Sequence, residues 1–252
     1  MERTNVVSLA LIAALAVWSN RPAPAAEITI LVNQGALSGV RDLAAGFEKA
    51  SGHKVVIDFV GVPEQAEKIN ADAPGDVVVN FIPAFEDLIK RNKVVGSVVE
   101  FARAGNGVAV KAGAPKPDIS TAEGFKQAML NAKSIGHTNA GTGPFNTRLF
   151  QKLGIYDQIK SKITIVEGRL VAAAVAAGDI EIGIQQTNVI QPHPGSEYLG
   201  PLPAELMEYG RVGVGVLTAS KQRDVATAFA KFMADPANAP LLRKAAMEPP
   251  AR

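Results

Sequence analysis

Apolar positions along the chain recur with two different periods. Short apolar runs at 28–32, 55–60 and 76–81 alternate with stretches in which every third or fourth residue is apolar. The compact runs predict strands and the spaced ones amphipathic helices. In the helix after the first run, Val40, Leu43, Ala44 and Phe47 share one face, and Gly52 supplies the stop. A second helix follows over 64–70, and a third is opened by Pro83 and ended at Asn92. After Gly105 the chain is extended over 108–111, crosses a Pro-rich segment at 113–117, and enters a helix from Thr121. Strands at 134–137, 163–166 and 180–185 then alternate with a helix beginning near Pro144 and an Ala-rich one over 170–177, closed by Gly178. The last third carries a strand at 212–217 and helices at 221–234 and 239–246. This order predicts an α/β fold with mostly parallel strands.

Three strand–turn–helix units before residue 100 and a second series after 105 predict two lobes. The tail is too small for a core of its own, so it is expected to return to the first lobe. The organisation read from the pattern is a leader at 1–25, a first lobe of 26–104 plus 210–252, and a second lobe of 105–209. Open α/β sheets bind ligands at the carboxyl ends of their strands, so two such lobes would face each other across a cleft.

The leader changes the compartment. Arg3 gives a short basic start, residues 6–18 are almost uninterrupted apolar, and Ala23-Pro24-Ala25 has the small-x-small form of a signal-peptidase site. The expected location is therefore the periplasm. Removing residues 1–25 takes Arg3, Arg21 and Glu2 from the 26 basic and 24 acidic side chains, leaving 24 and 23. A near-neutral chain with no basic stripe argues against nucleic acid as a partner. With no cysteine, thiolate chemistry and disulfides are excluded.

Candidate chemistry sits where strands end. Asn33, Gln34, Gly35 and Ala36 follow the first strand, Gly61 the second, and Asn80 closes the third. The turn Gly141-Thr142-Gly143-Pro144 opens a helix: Thr142 is placed to cap it, Pro144 takes a first-turn position, and the N–H groups near Gly143 and Phe145 are left to bind an anion. Arg148 lies about one turn further on. Glu167 and Gly168 precede the Ala-rich helix, where a carboxylate also suits the helix dipole. Gln185, Gln186, Thr187 and Asn188 place four polar side chains in a row at a strand end, able to offer neutral hydrogen bonds.

Enzyme signatures are missing: there is no nucleophile elbow, no phosphate loop and no zinc-protease helix. The three histidines, His53, His137 and His193, show no metal-ligand spacing, so neither a metal nor a cofactor is expected. If the protein is an enzyme, His137 and Glu167 are the candidate proton carriers.

Ala73-Pro74-Gly75-Asp76, Phe150-Gln151-Lys152-Leu153-Gly154 and Ile182-Gly183-Ile184 resemble the periplasmic molybdate-binding-like proteins. The resemblance implies the type II periplasmic binding protein fold, two α/β lobes around a ligand cleft. It also implies a small anionic ligand, an ABC transporter permease as partner, and a monomer. That family holds its oxyanion with hydroxyls after the first two strands, backbone N–H groups at two helix starts and a tyrosine hydroxyl. Here those positions fall at Ala36, at Gly61 or Val62, at Thr142, at Gly168 and at Gln186, so three hydroxyls are gone. Residues 113–120, Leu153-Gly154-Ile155, Asp157-Gln158-Ile159-Lys160 and Gln185-Gln186 are similar to the aconitate isomerase-like subgroup. The expectation is a protein that binds a small carboxylate or oxyanion between its lobes, with trans- to cis-aconitate isomerisation as the alternative.

Overall fold

A computed structural model describes residues 25–139, 142–191 and 193–251. Residues 1–24 of the leader and Gly141 of the opening turn lie outside the described residues. Among those described, no helix is long and apolar enough to cross a membrane.

The chain runs β1 (Glu27–Val32), α1 (Leu37–Ser51), β2 (Lys54–Phe59), α2 (Val62–Asn70), β3 (Val77–Phe81), α3 (Ile82–Lys90) and β4 (Val94–Ala104). It continues through β5 (Asn106–Lys111), α4 (Ala122–Asn131), β6 (Ile135–His137), α5 (Gly143–Lys152), α6 (Tyr156–Ile159), β7 (Ile163–Ile165), α7 (Val171–Ala177), β8 (Ile182–Gln186), α8 (Thr187–Ile190) and β9 (Ser196–Pro201). It ends in β10 (Gly210–Leu217), α9 (Arg223–Met233) and α10 (Ala239–Lys244).

The strands form two sheets, in the orders β2-β1-β3-β10-β4 and β7-β6-β8-β5-β9. In each sheet one strand runs against the rest, β10 in the first and β5 in the second. These are the strands that enter directly from the other sheet. Parallel neighbours need a long crossover, usually helical, and a strand arriving straight across the molecule has none. Only Gly105 separates β4 from β5, so this junction and the 202–209 segment carry the chain between the lobes. The edge strands β4 and β9 fall outside the predicted strands, because their side chains are mostly half-buried and give no clear alternation.

Successive residues of β1 bury on opposite faces. Ile30 and Val32 pack with Val40, Phe47, Phe229 and Met233, whereas Leu31 packs with Ile69, Phe85 and Leu88. Each such side chain contributes roughly 1.5–3 kcal/mol of burial. Phe229 meets Phe47 edge-on at 5.1 Å, which docks the C-terminal helices on α1. Helices α1 and α7 end in left-handed glycines, Gly52 at φ 75° and Gly178 at φ 86°.

Candidate functional site

The strand ends of both sheets open onto one cavity of about 790 Å3. Asn33, Gln34, Gly35, Gly61, Asn80, Thr142, Phe145, Gln185 and Gln186 line it together. The fold thus gathers nine predicted positions spread over 150 residues of sequence.

Their availability differs. Asn33 Nδ2 donates to Asn80 Oδ1 at 3.1 Å, and Asn80 Nδ2 donates in turn to Gln65 Oε1 at 2.6 Å. Gln65 Nε2 then bonds the carbonyls of Leu31 and Val79. Asn33 Oδ1 accepts from the Gly35 N–H at 3.0 Å, and Asn80 Oδ1 also accepts from the Phe81 N–H. This buried chain of amides ties the ends of β1 and β3 to α2, and most of its hydrogen-bonding capacity is used inside the protein.

On the opposite wall, Gln185 Oε1 accepts from the Val171 N–H at 3.3 Å. The chain thus satisfies the first N–H of α7 with its own side chain. Gly168 stands apart from the cavity, exposed and at φ 71°, with nothing within 4 Å of an added Cβ. Glu167 is likewise exposed and does not line it. Ala36 is 1% exposed and packs in the core beneath α1. The Thr187 N–H is taken by the Gly105 carbonyl, so this residue ties α8 to the interlobe junction instead of lining the cavity.

The start of α5 departs from the expected cap. Thr142 occupies the N-cap position in the helical region, φ −81° and ψ −17°, and its hydroxyl makes no capping bond. It lies 3.4 Å from the Thr138 hydroxyl, and both residues line the cavity. The N–H groups of Gly143 and Phe145 belong to the first turn, where no intrahelical acceptor exists. Gly143 itself stays behind the cavity wall: an added Cβ would stand 2.1 Å from the Thr138 carbonyl oxygen.

His137 ends β6 directly behind this turn, and it is 3% exposed and outside the lining. Its Nδ1–H donates to the Thr138 carbonyl at 2.9 Å, so Nε2 carries the lone pair in the neutral ring, buried and unpaired. Burial pushes its pKa down, partly opposed by the bond to Thr138. Both side-chain atoms of the buried Asn146, one turn into α5, are also without a partner.

Val62 and Arg148, both named from the sequence, and several residues not predicted from it complete the site. Asn106 faces the cavity beside Gln186, its register partner in the β5–β8 pair, and both stand outside the Asn33–Asn80–Gln65 network. Phe59, Val62, Phe81, Ile82 and Tyr209 add apolar surface. Four charges reach the lining, Glu86 and Glu208 against Arg148 and Arg211. Arg148 stands 3.8 Å from Glu208, both largely exposed, and Arg211 Nε 2.6 Å from Glu100, whose side chain is half-buried.

The lobes touch at the cavity. Asn188 Nδ2 donates to the Gly35 carbonyl at 3.0 Å and to Ser38 Oγ at 3.1 Å. Gly35 is closely covered: an added Cβ would lie 2.9 Å from Gln186 Nε2 and 3.1 Å from the Phe81 ring.

The family described as bacterial extracellular solute-binding protein matches residues 28–248. The chain belongs to that family. Two similar proteins are an aconitate isomerase from Pseudomonas sp., 26% identical over 235 residues, and the molybdate-binding protein ModA of Azotobacter vinelandii, 27% identical over 225. The first alignment covers 90% of this chain and 89% of the relative, the second 85% and 86%. The solved periplasmic molybdate-binding protein of Azotobacter vinelandii superposes with a TM-score of 0.71 at 20% identity, covering 89% of this chain and 100% of that one. This solute-binding protein is therefore molybdate-binding-like, of the type II fold, with an aconitate isomerase among its relatives.

Proposed function

We propose that this solute-binding protein captures a small carboxylate between its lobes in the periplasm and delivers it to an ABC transporter without turning it over. The observation that carries this reading is the chemistry of the second-lobe wall. Asn106, Gln186, the Thr138 and Thr142 hydroxyls and the start of α5 face one cavity, where neutral donors and a helix dipole suit a carboxylate. Compact oxyanion capture is disfavoured because Ala36, Gly61 and Gln186 carry no hydroxyl.

The second reading is isomerisation of aconitate, favoured by the 26% identity to an aconitate isomerase across 90% of the chain. Neither His137 nor Glu167 lines the cavity, which speaks against the two proton carriers expected for it.

A thermal-shift panel with molybdate, tungstate, sulfate, citrate, tricarballylate and both aconitates tests the binding reading. A ligand at 100 times its Kd adds about 2.7 kcal/mol, hence a Tm rise of roughly 5–10 °C for a chain of this size. Stabilisation by a carboxylate and not by molybdate is expected. Sustained conversion of trans- to cis-aconitate by the purified protein would replace the binding reading with the catalytic one.

A further inference from the structure

The two walls of the cavity differ in kind. The first-lobe wall is apolar at the ends of β2 and β3: Phe59 is 51% exposed, Val62 48%, and Ile82 and the ring of Phe81 lie half-buried beside them. Its amides at Asn33 and Asn80 are largely consumed by each other, by Gln65 and by nearby backbone. The Phe81 ring packs close over two glycines, since an added Cβ would come within 3.1 Å of it at Gly35 and 2.6 Å at Gly210. The exposed Gln34 amide remains on this wall, while the second-lobe wall presents most of the amides and hydroxyls, with Phe145 as its apolar member.

We infer that the ligand is amphipathic: a monocarboxylate with an aromatic or branched apolar body, its carboxylate on the second lobe and its body on the Phe59–Val62–Phe81 wall. This inference rests on the carboxylate-binding reading above. Three features carry it. A tetrahedral oxyanion, with four oxygens of about 30 Å3 each, displaces only on the order of 100 Å3, and it would leave the apolar wall unused in a cavity of about 790 Å3. A tricarboxylate would bring three negative charges to a lining whose two arginines are matched by two glutamates. Large apolar side chains exposed inside a concave site are the part of a pocket that selects an apolar ligand surface.

Calorimetric titration of the protein with acetate, 3-phenylpropanoate, tricarballylate and molybdate tests the inference, with Phe59→Ser/Val62→Ser as the variant. Both side chains are about half exposed, so the variant is expected to fold. 3-Phenylpropanoate is expected to bind tighter than acetate by roughly tenfold or more, because the ring finds apolar surface to cover. The variant is expected to lose most of that difference. Tighter binding of tricarballylate than of 3-phenylpropanoate overturns the inference and leaves the carboxylate reading intact. Binding of 3-phenylpropanoate that is indifferent to the double substitution also overturns it. A response to molybdate alone, or to none of the four, overturns both.

Discussion

Asn188, on the second lobe, donates one amide group to both the Gly35 carbonyl and the Ser38 hydroxyl of the first, at 3.0 and 3.1 Å. This side chain bridges the lobes at the edge of the cavity, where Gln186 and Phe81 also close on Gly35. The relative position of the two walls therefore depends on a polar contact that one substitution removes.

Asn188→Ala is expected to lower stability by about 1 kcal/mol, the usual net worth of such hydrogen bonds. The loss is held small because Asn188 Oδ1 is buried without a partner and the substitution removes that defect as well. Small-angle scattering of the unliganded variant should show a larger radius of gyration than wild type. An unchanged profile together with unchanged Tm would mean that Asn188 does not hold the lobes.

Gly143→Ala is expected to disrupt the fold before it affects any ligand. Its Cβ would be driven against the Thr138 carbonyl oxygen, a backbone atom that also accepts from His137. Overpacking against a fixed group costs about 1–3 kcal/mol or more. Chemical denaturation should place the loss in that range, whereas Thr142→Val, which removes only a hydroxyl at the cavity, should leave stability within about 1 kcal/mol. Equal stability of Gly143→Ala and wild type would contradict the close approach of β6 and α5.

His137 makes stability depend on pH in a defined direction. Its folded pKa lies below the unfolded value near 6.5 because burial disfavours the charged ring. The unfolded chain then binds the proton more readily, so this contribution is complete above about pH 6.5 and is lost as pH falls toward the folded pKa. His137→Gln removes the titration. The Tm difference between wild type and variant should shift against wild type as pH is lowered from 7.5 to 5.5, and a pH-independent difference would refute the assignment.

The sequence reveals elements where periodicity and glycine punctuation agree, as in α1 with its buried Val40, Leu43 and Phe47 and the left-handed stop at Gly52. It does not reveal β4 and β9, edge strands whose half-exposed side chains leave no clean alternation. At the site, the strand ends were legible because turns with Asn, Gly and Gln followed each apolar run. What each side chain is bonded to was not. Gln65 sits among Glu64, Glu67 and Lys68 and reads as solvent-facing, yet it is 1% exposed and takes up the Asn80 amide. Asn106 follows Gly105 at the interlobe junction, before the apolar run from Val108 makes the strand visible, so its place in the cavity needed the β5–β8 register. The expected cap at Thr142 failed because the turn is already helical there, which turns the hydroxyl to Thr138.

The central claim is that the cleft takes a carboxylate in place of a compact oxyanion. Its most direct test is calorimetric titration of wild type and Gln186→Ala with a series of carboxylates and with molybdate at one ionic strength. The account predicts micromolar or tighter binding of at least one carboxylate, weakened roughly tenfold in the variant, as loss of one hydrogen bond to a charged group would do. It predicts no heat from molybdate at the same concentrations. Submicromolar molybdate binding, or carboxylate affinity that is untouched by loss of the Gln186 amide, would contradict it.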